Sequence, residues 1–473
     1  MAQRPLPIKD VVVVLPGILG STLADKKGKL VWSPSAGEAL RAIRTFGHSL
    51  QGLALEEGIG DNPPEDGVRP VSLMPDLHVL PGVWSWNVGY DVLLGWLRSR
   101  FALVDAAPDQ PERLANLVVV PYDWRLSNRY NGRRLKSLVE PALERWRSQG
   151  GEFADAKLVF ICHSMGGLVA RWYLEKERGA AVTRRLVTLG TPYRGALNAL
   201  DQLVNGVRKG IGPFKVNLTA FARSLPSTYQ LLPEYACLEA PSGLAKTTEA
   251  TLPSELNAGM VADGMRFHEQ LDQATTGRGE AGYDLHPIVG FRQPTWTTAR
   301  LTGGLLELAY TIRNEDEGGD ATVPRLSAAP KSLRPDSPAI RWIADQHGAL
   351  QNNQAALDEL EGVLTAKPVV HRAPMGITVG VQLDDVVLAG EPIPIEATVS
   401  SGERVALRAR VFDEQARPVA TATLRPSGEG HRGLLGPFPA GAYRVVVGGV
   451  GATAARVEQV TSAVLVWDQG VQT

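Results

Sequence analysis

The stretch of sequence that decides the fold is Leu158-Val-Phe-Ile-Cys162-His163-Ser164-Met165-Gly166-Gly167-Leu168-Val-Ala-Arg-Trp-Tyr173. Its first part is apolar and rich in β-branched residues, which predicts a buried strand. Its last part has the apolar spacing of a helix, which begins with almost no intervening chain. The residues between the two elements must therefore form a sharp turn, and Ser164 lies at its tip.

This strand, turn and helix are typical of the nucleophile elbow of α/β-hydrolases. A serine in that turn projects its Oγ above the sheet, and the helix N-terminus directs free N–H groups toward a developing oxyanion. The usual pattern is G-x-S-x-G, and Cys162 replaces the first glycine with another small residue. Gly166 and Gly167 should let the helix approach the sheet closely. The alternative is an ordinary strand-to-helix turn with an inert serine.

The composition indicates an ordinary globular protein and excludes a basic nucleic-acid-binding surface. The 473 residues include 49 basic and 50 acidic residues, and 44% are apolar. Cys162 and Cys237 are the only cysteines, so no disulfide framework is expected and a reducing compartment fits best. We find no signal-peptide core and no apolar run long enough to span a membrane. These features predict a cytoplasmic protein.

Buried strands alternate with helical patterns in the first two thirds of the chain. Continuous apolar runs at 11–15, 117–120, 158–161 and 186–189 predict parallel strands covered on both faces. The alternation predicts an α/β fold with a doubly wound sheet. No buried strand is predicted between about 196 and 285, which we interpret as a cap inserted above the sheet. The core should resume at 287–291.

After Lys367-Pro368 the pattern changes to short segments in which apolar and polar residues alternate. They lie at 377–381, 393–399, 405–412, 419–424, 443–447 and 463–467. This spacing predicts an all-β, immunoglobulin-like sandwich. We therefore expect an α/β-hydrolase domain at residues 1–367 and a β-sandwich domain at 368–473. The two are expected to be separable, with the sandwich available for a protein partner.

A serine nucleophile requires a histidine base and a carboxylate that orients it, and α/β-hydrolases place them in the chain order Ser, Asp or Glu, His. Of the eight histidines, His347 is the one that lies in a loop just before the last helix of the hydrolase domain. Asp320, in the turn-rich Gly318-Gly-Asp-Ala-Thr-Val-Pro324, is our candidate acid. Asp316 and Asp345 are the alternatives.

The oxyanion hole needs two backbone N–H groups. We assign one to Met165, which follows the nucleophile, and the other to Ile18 in the loop after the first core strand. A simple turn is the alternative for that loop. This mechanism requires neither a metal nor an organic cofactor.

Several motifs occur in an order that characterises one family: Leu15-Pro-Gly-Ile-Leu-Gly-Ser-Thr-Leu23, Pro121-Tyr-Asp-Trp-Arg125, His163-Ser-Met-Gly-Gly167, Gly190-Thr-Pro-Tyr-Arg-Gly195, Gly319-Asp-Ala-Thr-Val-Pro324 and His347. Together they resemble the lecithin:cholesterol acyltransferase family, which includes lysosomal phospholipase A2 and phospholipid:diacylglycerol acyltransferase. The likeness spans roughly residues 9–365. The Tyr-Asp-Trp-Arg box is its most discriminating part, and the sandwich lies outside it.

The resemblance implies acyl-ester chemistry on a lipid substrate, by hydrolysis or by transfer of the acyl group to an alcohol. It carries the triad over to Ser164, Asp320 and His347, and the oxyanion hole to Ile18 and Met165. This chain lacks the disulfides and signal peptides of secreted members. A deacylase of lipid-linked glycans is a rival within the same fold, and an adaptor that binds a partner through the sandwich is a rival of another class.

Three further features have two interpretations each. Asp123 and Arg125 form either a structural ion pair, which we favour, or a head-group contact. Trp84, Trp86 and Trp124 either line an acyl groove or belong to the core. The mixture of basic and apolar residues between 207 and 223 predicts a peripheral membrane contact through the cap, a mobile lid or a packed cap.

Overall fold

The computed structural model describes residues 4–33, 51–56, 58–75, 87, 89–107, 110, 112–211, 214–278, 282–365, 376–400 and 405–467, without the side chains of 208–211 and 214–216. The predicted domain junction at 367/368 lies outside these residues, as do Trp84 and Trp86. The domain limits therefore stay a prediction.

The strands of the first part of the chain are, in order, β1 (Val11–Leu15), β2 (Ser21–Ala24), β3 (Leu30–Trp32), β4 (Arg69–Leu73), β5 (Leu117–Val119), β6 (Leu158–His163), β7 (Thr183–Leu189), β8 (Arg208–Ile211), β9 (Phe214–Asn217), β10 (Leu238–Ala240), β11 (Gly243–Ala245), β12 (Asp284–Gly290), β13 (Thr298–Thr302), β14 (Leu305–Ala309), β15 (Thr311–Ile312), β16 (Glu315–Asp316) and β17 (Arg341–Ile343).

The helices of the same part are α1 (Asp91–Arg100), α2 (Asn128–Arg147), α3 (Gly166–Lys176), α4 (Leu197–Val204), α5 (Thr219–Ser224), α6 (Pro226–Tyr229), α7 (Ala258–Arg278) and α8 (Gln354–Thr365). A 3₁₀ segment, His347–Asn352, immediately precedes α8. Ser127 begins α2 by accepting a hydrogen bond from the Arg129 N–H at 3.1 Å, as an N-cap serine should.

Six parallel strands form the central sheet in the order β17-β12-β7-β6-β1-β5. Every residue of β1 and β6 is buried, because helices cover both faces of the sheet. The four predicted core strands are confirmed as β1, β5, β6 and β7, and the predicted strand at 287–291 is the second half of β12. All six strands end at one edge of the sheet, where the loops that carry the candidate site emerge.

The cap contains helices and short strands. No strand of the cap was identified from the sequence: α4 ends at Val204, and a hairpin of β8 and β9 follows. The strands β10 and β11 form one sheet with β13 and β14, which come from beyond residue 285. Phe221 and Leu225 are buried in the same hydrophobic cluster as the central sheet. This part of the cap is therefore packed onto the core.

The C-terminal region consists of strands only, apart from one 3₁₀ turn among its described residues: β18 (Val379–Leu383), β19 (Val386–Leu388), β20 (Ile393–Val399), β21 (Leu407–Phe412), β22 (Pro418–Ser427), β23 (Gly430–Leu435), β24 (Gly441–Gly449) and β25 (Val460–Trp467).

These strands follow the order β18-β20-β23-β22-β21-β24-β25-β19 in one curled sheet. The long strand β22 pairs with β21 along its first part and with β23 along its last part, so it passes from one half of the sheet to the other. Alternating residues such as Ile393, Ile395 and Ala397 face an interior core of their own. The predicted α/β-hydrolase with a cap, followed by a C-terminal β-sandwich, is confirmed.

Candidate active site

Ser164 lies in the tight turn between the end of β6 and the start of α3. Its φ of 51° is in the left-handed region, which costs energy for a residue with a side chain. Two hydrogen bonds hold this conformation: the Ser164 N–H donates to Leu189 O at 2.8 Å, and the Thr191 hydroxyl donates to Ser164 O at 2.8 Å. The turn is thus fixed from the neighbouring strand β7 and the loop after it.

Glycines allow the loop after β1 to approach this turn closely. A Cβ on Gly17 would lie 2.8 Å from the Ser164 Cβ, and a Cβ on Gly166 would lie 2.3 Å from Pro16 O. Both distances are shorter than any van der Waals contact, so a larger residue at either position would force the two loops apart. Gly166 therefore has the role expected from the sequence, because it lets α3 approach both Pro16 and Leu15 at the end of β1.

The structure brings Ser164, His347 and Asp320 together in one hydrogen-bonded chain. His347 Nε2 lies 2.8 Å from Ser164 Oγ, and His347 Nδ1 lies 2.7 Å from Asp320 Oδ2. Since a carboxylate oxygen only accepts, Nδ1 carries the proton and Nε2 accepts from the serine hydroxyl. All three side chains are buried. This is the arrangement that a nucleophile, a base and an orienting acid require.

The carboxylate of Asp320 is itself held in place. Its Oδ1 accepts from the N–H groups of Thr322 at 3.0 Å and Val323 at 2.6 Å, which leaves Oδ2 for the histidine. The backbone N–H of His347 also donates to Asp320 O at 2.7 Å. The acid loop and the base loop are therefore joined through both main chain and side chain.

The two alternative acids lie elsewhere. Asp316 is exposed on β16 and accepts from the Gly318 N–H. Asp345 is buried two residues before His347, but its carboxylate accepts from Gln346 N, Asn353 Nδ2 and Thr461 N, and not from the histidine. Asp320 is the acid that the geometry favours.

The loop after β1 lies next to Ser164, where an oxyanion hole is proposed. The Gly17 N–H donates to the Tyr90 hydroxyl at 2.8 Å, so this group is already occupied and the next residue, Ile18, is the better donor. Met165 precedes the first residue of α3, where the N–H groups point out of the helix end. Both assignments remain proposals.

A buried chain of hydrogen bonds that sequence reasoning missed links this loop to the base. The Tyr90 hydroxyl lies 2.9 Å from His163 Nδ1, and His163 Nε2 lies 3.1 Å from His347 O. Because the carbonyl accepts, Nε2 of His163 is the donor, and Nδ1 accepts from Tyr90. Burial raises the pKa of the Tyr90 hydroxyl, which therefore keeps its proton. The signal available in the sequence was a histidine directly before the nucleophile.

The Tyr-Asp-Trp-Arg box, residues 122–125, hydrogen-bonds to both ends of the loop between β1 and β2. The Tyr122 hydroxyl donates to Pro16 O at 3.0 Å, and Trp124 Nε1 donates to Ser21 O at 3.1 Å. Arg125 is fully buried and pairs with Asp123 at 2.7 Å.

This arrangement bears on two of the open interpretations. The Arg125 guanidinium also donates to Leu53 O and to Asp66, so its donors are used within the protein and the structural interpretation of the ion pair fits best. Trp124 is fully buried and packs edge-on against Trp32, with ring centroids 5.2 Å apart. Trp124 therefore belongs to the core and does not line a groove.

Two searches of the described residues bear on membranes and metals. None of the helices described combines the length and apolarity that crossing a bilayer requires. Within the same residues, no group of three or more His, Cys, Asp and Glu side chains has the arrangement of a metal site.

Comparison with known proteins agrees with the motifs. Residues 111–272 match the model of the lecithin:cholesterol acyltransferase family. The predicted resemblance to this family is confirmed. The matched segment includes the Tyr-Asp-Trp-Arg box and Ser164, and it ends before Asp320 and His347. The family supports, in general terms, an esterase or lipase type of enzyme that hydrolyses or transfers lipid acyl groups.

No curated protein matches the sequence. Among solved structures, the mature form of the lipase BlEst2 from Bacillus licheniformis is similar with 11% identity and a TM-score of 0.37, over 77% of this chain and 95% of that chain. The propeptide form of the same lipase has the same identity and TM-score, over 98% of this chain and 94% of that chain. Likenesses this low carry no argument about activity.

Proposed function

We propose that this protein is a serine-dependent lipid acyl hydrolase, a phospholipase or lipase that works through a covalent acyl-enzyme. The observation that carries the proposal is the hydrogen-bonded chain from Ser164 Oγ through His347 to Asp320. The match to a family of lipid acyltransferases and phospholipases supports a lipid ester as the substrate.

In the first half of the reaction, Ser164 Oγ attacks the ester carbonyl carbon while His347 Nε2 takes its proton. The carbonyl π electrons move onto oxygen, and the N–H groups of Ile18 and Met165 stabilise the oxyanion. When the carbonyl re-forms, the bond to the alcohol breaks and His347 returns the proton to that leaving group. The acyl chain is then bound to Ser164 as an ester.

In the second half, His347 removes a proton from water, whose oxygen attacks the acyl-enzyme. The fatty acid leaves, and Ser164 recovers its proton from the histidine. An alcohol in place of water would receive the acyl group instead, which is the transfer reaction. Asp320 holds the imidazole in the correct tautomer through both halves and stabilises its charged form.

We place this reaction in the cytoplasm, because Cys162 and Cys237 are both buried free thiols, which suits a reducing compartment. Contact with a membrane surface would be made through the cap, whose hairpin of β8 and β9 contains the basic residues Arg208, Lys209 and Lys215.

The test compares wild type with Ser164→Ala, and uses Ser137→Ala as a matched control, because Ser137 lies on the exposed face of α2. We expect Ser164→Ala to lose on the order of 10⁴–10⁶ in rate on p-nitrophenyl butyrate, and to lose labelling by a fluorophosphonate probe. Its thermal unfolding should barely change. A Ser164→Ala protein that keeps more than about a tenth of the activity would contradict the assignment.

The lipid is identified by incubating extracted phospholipid membranes with wild type and with Ser164→Ala, and comparing the products by mass spectrometry. A free fatty acid paired with a lysophospholipid supports a phospholipase. A new ester formed when a long-chain alcohol is added supports transfer. Deacylation confined to glycan-linked lipids would instead favour the rival deacylase.

A further inference from the structure

The C-terminal domain contacts two of the three residues that precede the candidate base His347. Asp345 Oδ1 accepts from the Thr461 N–H at 2.8 Å. The Gln346 side-chain amide donates to Val381 O at 3.1 Å. The base loop is therefore held from outside the hydrolase domain directly before the histidine.

The acid loop is held by the same domain through Gln293. The Gln293 N–H donates to Gly319 O at 2.9 Å, and Gln293 forms an isolated β-bridge with Asp320. Its side chain reaches the other way: Nε2 donates to Val379 O at 2.9 Å, and Oε1 accepts from the Val381 N–H at 3.1 Å. One buried glutamine thus joins the loop of the acid to the second domain.

The geometry of strand β18 explains why these bonds form. β18 is at the end of the strand order and pairs with β20 on one side, so the main-chain groups of its outer edge must find other partners. Gln293 supplies the donor and acceptor that a neighbouring strand would supply. Gly380 allows the close approach, because a Cβ there would lie 2.8 Å from Arg292 O.

The buried carboxylate of Asp345 lies at the centre of the contact between the base loop and the C-terminal domain. Asp345 is 2% exposed, and its Oδ1 accepts from Gln346 N at 2.9 Å as well as from Thr461 N. Its Oδ2 accepts from Asn353 Nδ2 at 2.8 Å, while Asn353 Oδ1 accepts from the Ala355 N–H at the start of α8. The carboxylate therefore joins the chain on either side of His347, through Gln346 and Asn353, to β25 of the C-terminal domain, through Thr461.

We propose that the C-terminal β domain is part of the catalytic apparatus, because it positions the acid and base loops through Gln293, Asp345 and Gln346. These three are positioning residues: they act on His347 and Asp320 and do not touch the substrate. This inference rests on the proposed function. It replaces the expectation from sequence that the two domains are separable.

The first arm of the test breaks the contact with β18 in the full-length protein. Gln346→Met and Gln293→Met keep the length of the side chain but lose its hydrogen bonds. Because displacement of a catalytic group by about 1 Å can cost about 100-fold, we expect kcat on p-nitrophenyl butyrate to fall about 10- to 100-fold, with KM changing less than about threefold. Rates are normalised to the fraction of protein labelled by the fluorophosphonate.

The matched control is Val411→Ala, a cavity in the core of the β domain away from the contact. It should lower the thermal midpoint of the β domain. It should leave kcat within about twofold of wild type, because Val411 lies away from the contact. A change of about 1.4 kcal/mol in the activation barrier would already alter kcat about tenfold. If both glutamine variants keep kcat within twofold of Val411→Ala at a temperature where all are folded, the β domain has only a stabilising role and the proposal is wrong.

The second arm uses a rescue to test whether the hydrogen bonds of Asp345 position the base loop. Asp345→Asn places an amide NH₂ against Asn353 Nδ2, and Asn353 cannot flip without losing its cap on α8. The double variant Asp345→Asn with Asn353→Asp exchanges the two groups and restores every hydrogen bond. We expect kcat to fall about 10-fold in the single variant and to recover to within about threefold in the double.

A single variant with wild-type kcat, or a double variant as slow as the single one, would overturn the role of Asp345. An inactive wild type that the fluorophosphonate does not label would instead refute the proposed function, so the two failures are distinguishable.

Discussion

Asp320→Asn should disable the enzyme almost without altering its fold, and the structure shows why. Asp320 Oδ1 accepts two backbone N–H groups, from Thr322 and Val323. An asparagine at this position must keep its carbonyl oxygen there, since the flipped amide would place NH₂ against two donors. Its NH₂ then faces His347 Nδ1, which must accept. The proton moves to Nε2, and the histidine no longer accepts from Ser164.

The expected cost is that of a triad with the wrong tautomer, about 10⁴ in kcat, which corresponds to about 5.5 kcal/mol in the activation barrier. Thermal stability should change little, because both backbone hydrogen bonds survive. The assay is kcat/KM on p-nitrophenyl butyrate, with burst titration of active protein and a differential scanning calorimetry trace for each variant.

Asp316→Asn is the control for Asp320→Asn, because Asp316 is an exposed carboxylate on the neighbouring strand β16. It should retain full activity. If Asp320→Asn kept more than about a tenth of the wild-type rate, the orienting role of Asp320 would be refuted. If Asp316→Asn were the crippling change, the acid would have to be reassigned.

Three further results are expected. Tyr90→Phe removes the acceptor of the Gly17 N–H and should lower the free energy of unfolding by about 1–3 kcal/mol and kcat by about tenfold, measured by urea denaturation and ester hydrolysis; unchanged kcat would contradict its link to the oxyanion loop. Arg125→Met leaves the Asp123 carboxylate buried without its partner and should cost about 3–5 kcal/mol in the same denaturation assay; a cost below about 1 kcal/mol would argue against a structural ion pair. Burial raises the pKa of Asp345 to about 6, so the folded state keeps a proton that the unfolded chain loses near pH 4. The free energy of unfolding should therefore fall by about 3 kcal/mol between pH 4 and 6 and level off above pH 6. Asp345→Asn should lack this fall, although the carboxyl group of Glu458, whose pKa burial also raises, is present in both proteins.

Local patterns in the sequence were sufficient for the core of the fold and for the serine. The buried runs of β1, β5, β6 and β7 are continuous and apolar, so a covered parallel sheet could be predicted from them. The turn at Ser164 is specified within a few residues. Chain order then selected His347 among eight histidines, and in the structure its Nε2 lies within hydrogen-bond distance of Ser164 Oγ.

Elements without a local pattern were missed. β17 is only Arg341–Ile343, three residues with a charge at the start, and β23 interrupts its alternation with Gly430 and Gly433. The hairpin of β8 and β9 is rich in Lys, Arg and Gly, which gives no strand pattern. In each case the pairing partner in the sheet, and not the segment itself, decides the structure.

The sequence favoured Asp320 as the acid but could not exclude the other two aspartates. Asp316, Asp320 and Asp345 all lie in the right part of the chain. What separates them is the direction of a carboxylate relative to His347 Nδ1, which depends on the bridge between Gln293 and Asp320 and on the bonds to the second domain. Glutamine side chains that bond main-chain atoms 35 to 88 residues away leave no periodic pattern in the sequence.

The way in which Gln293 covers the outer edge of β18 has a consequence for the solubility of the C-terminal domain. An uncovered strand edge offers a row of main-chain donors and acceptors with which any extended chain can pair, and this is a common route to aggregation. In the intact protein, one glutamine amide occupies the donor of Val381 and the acceptor of Val379. The domain expressed alone would lose that cover and present β18 to its own copies.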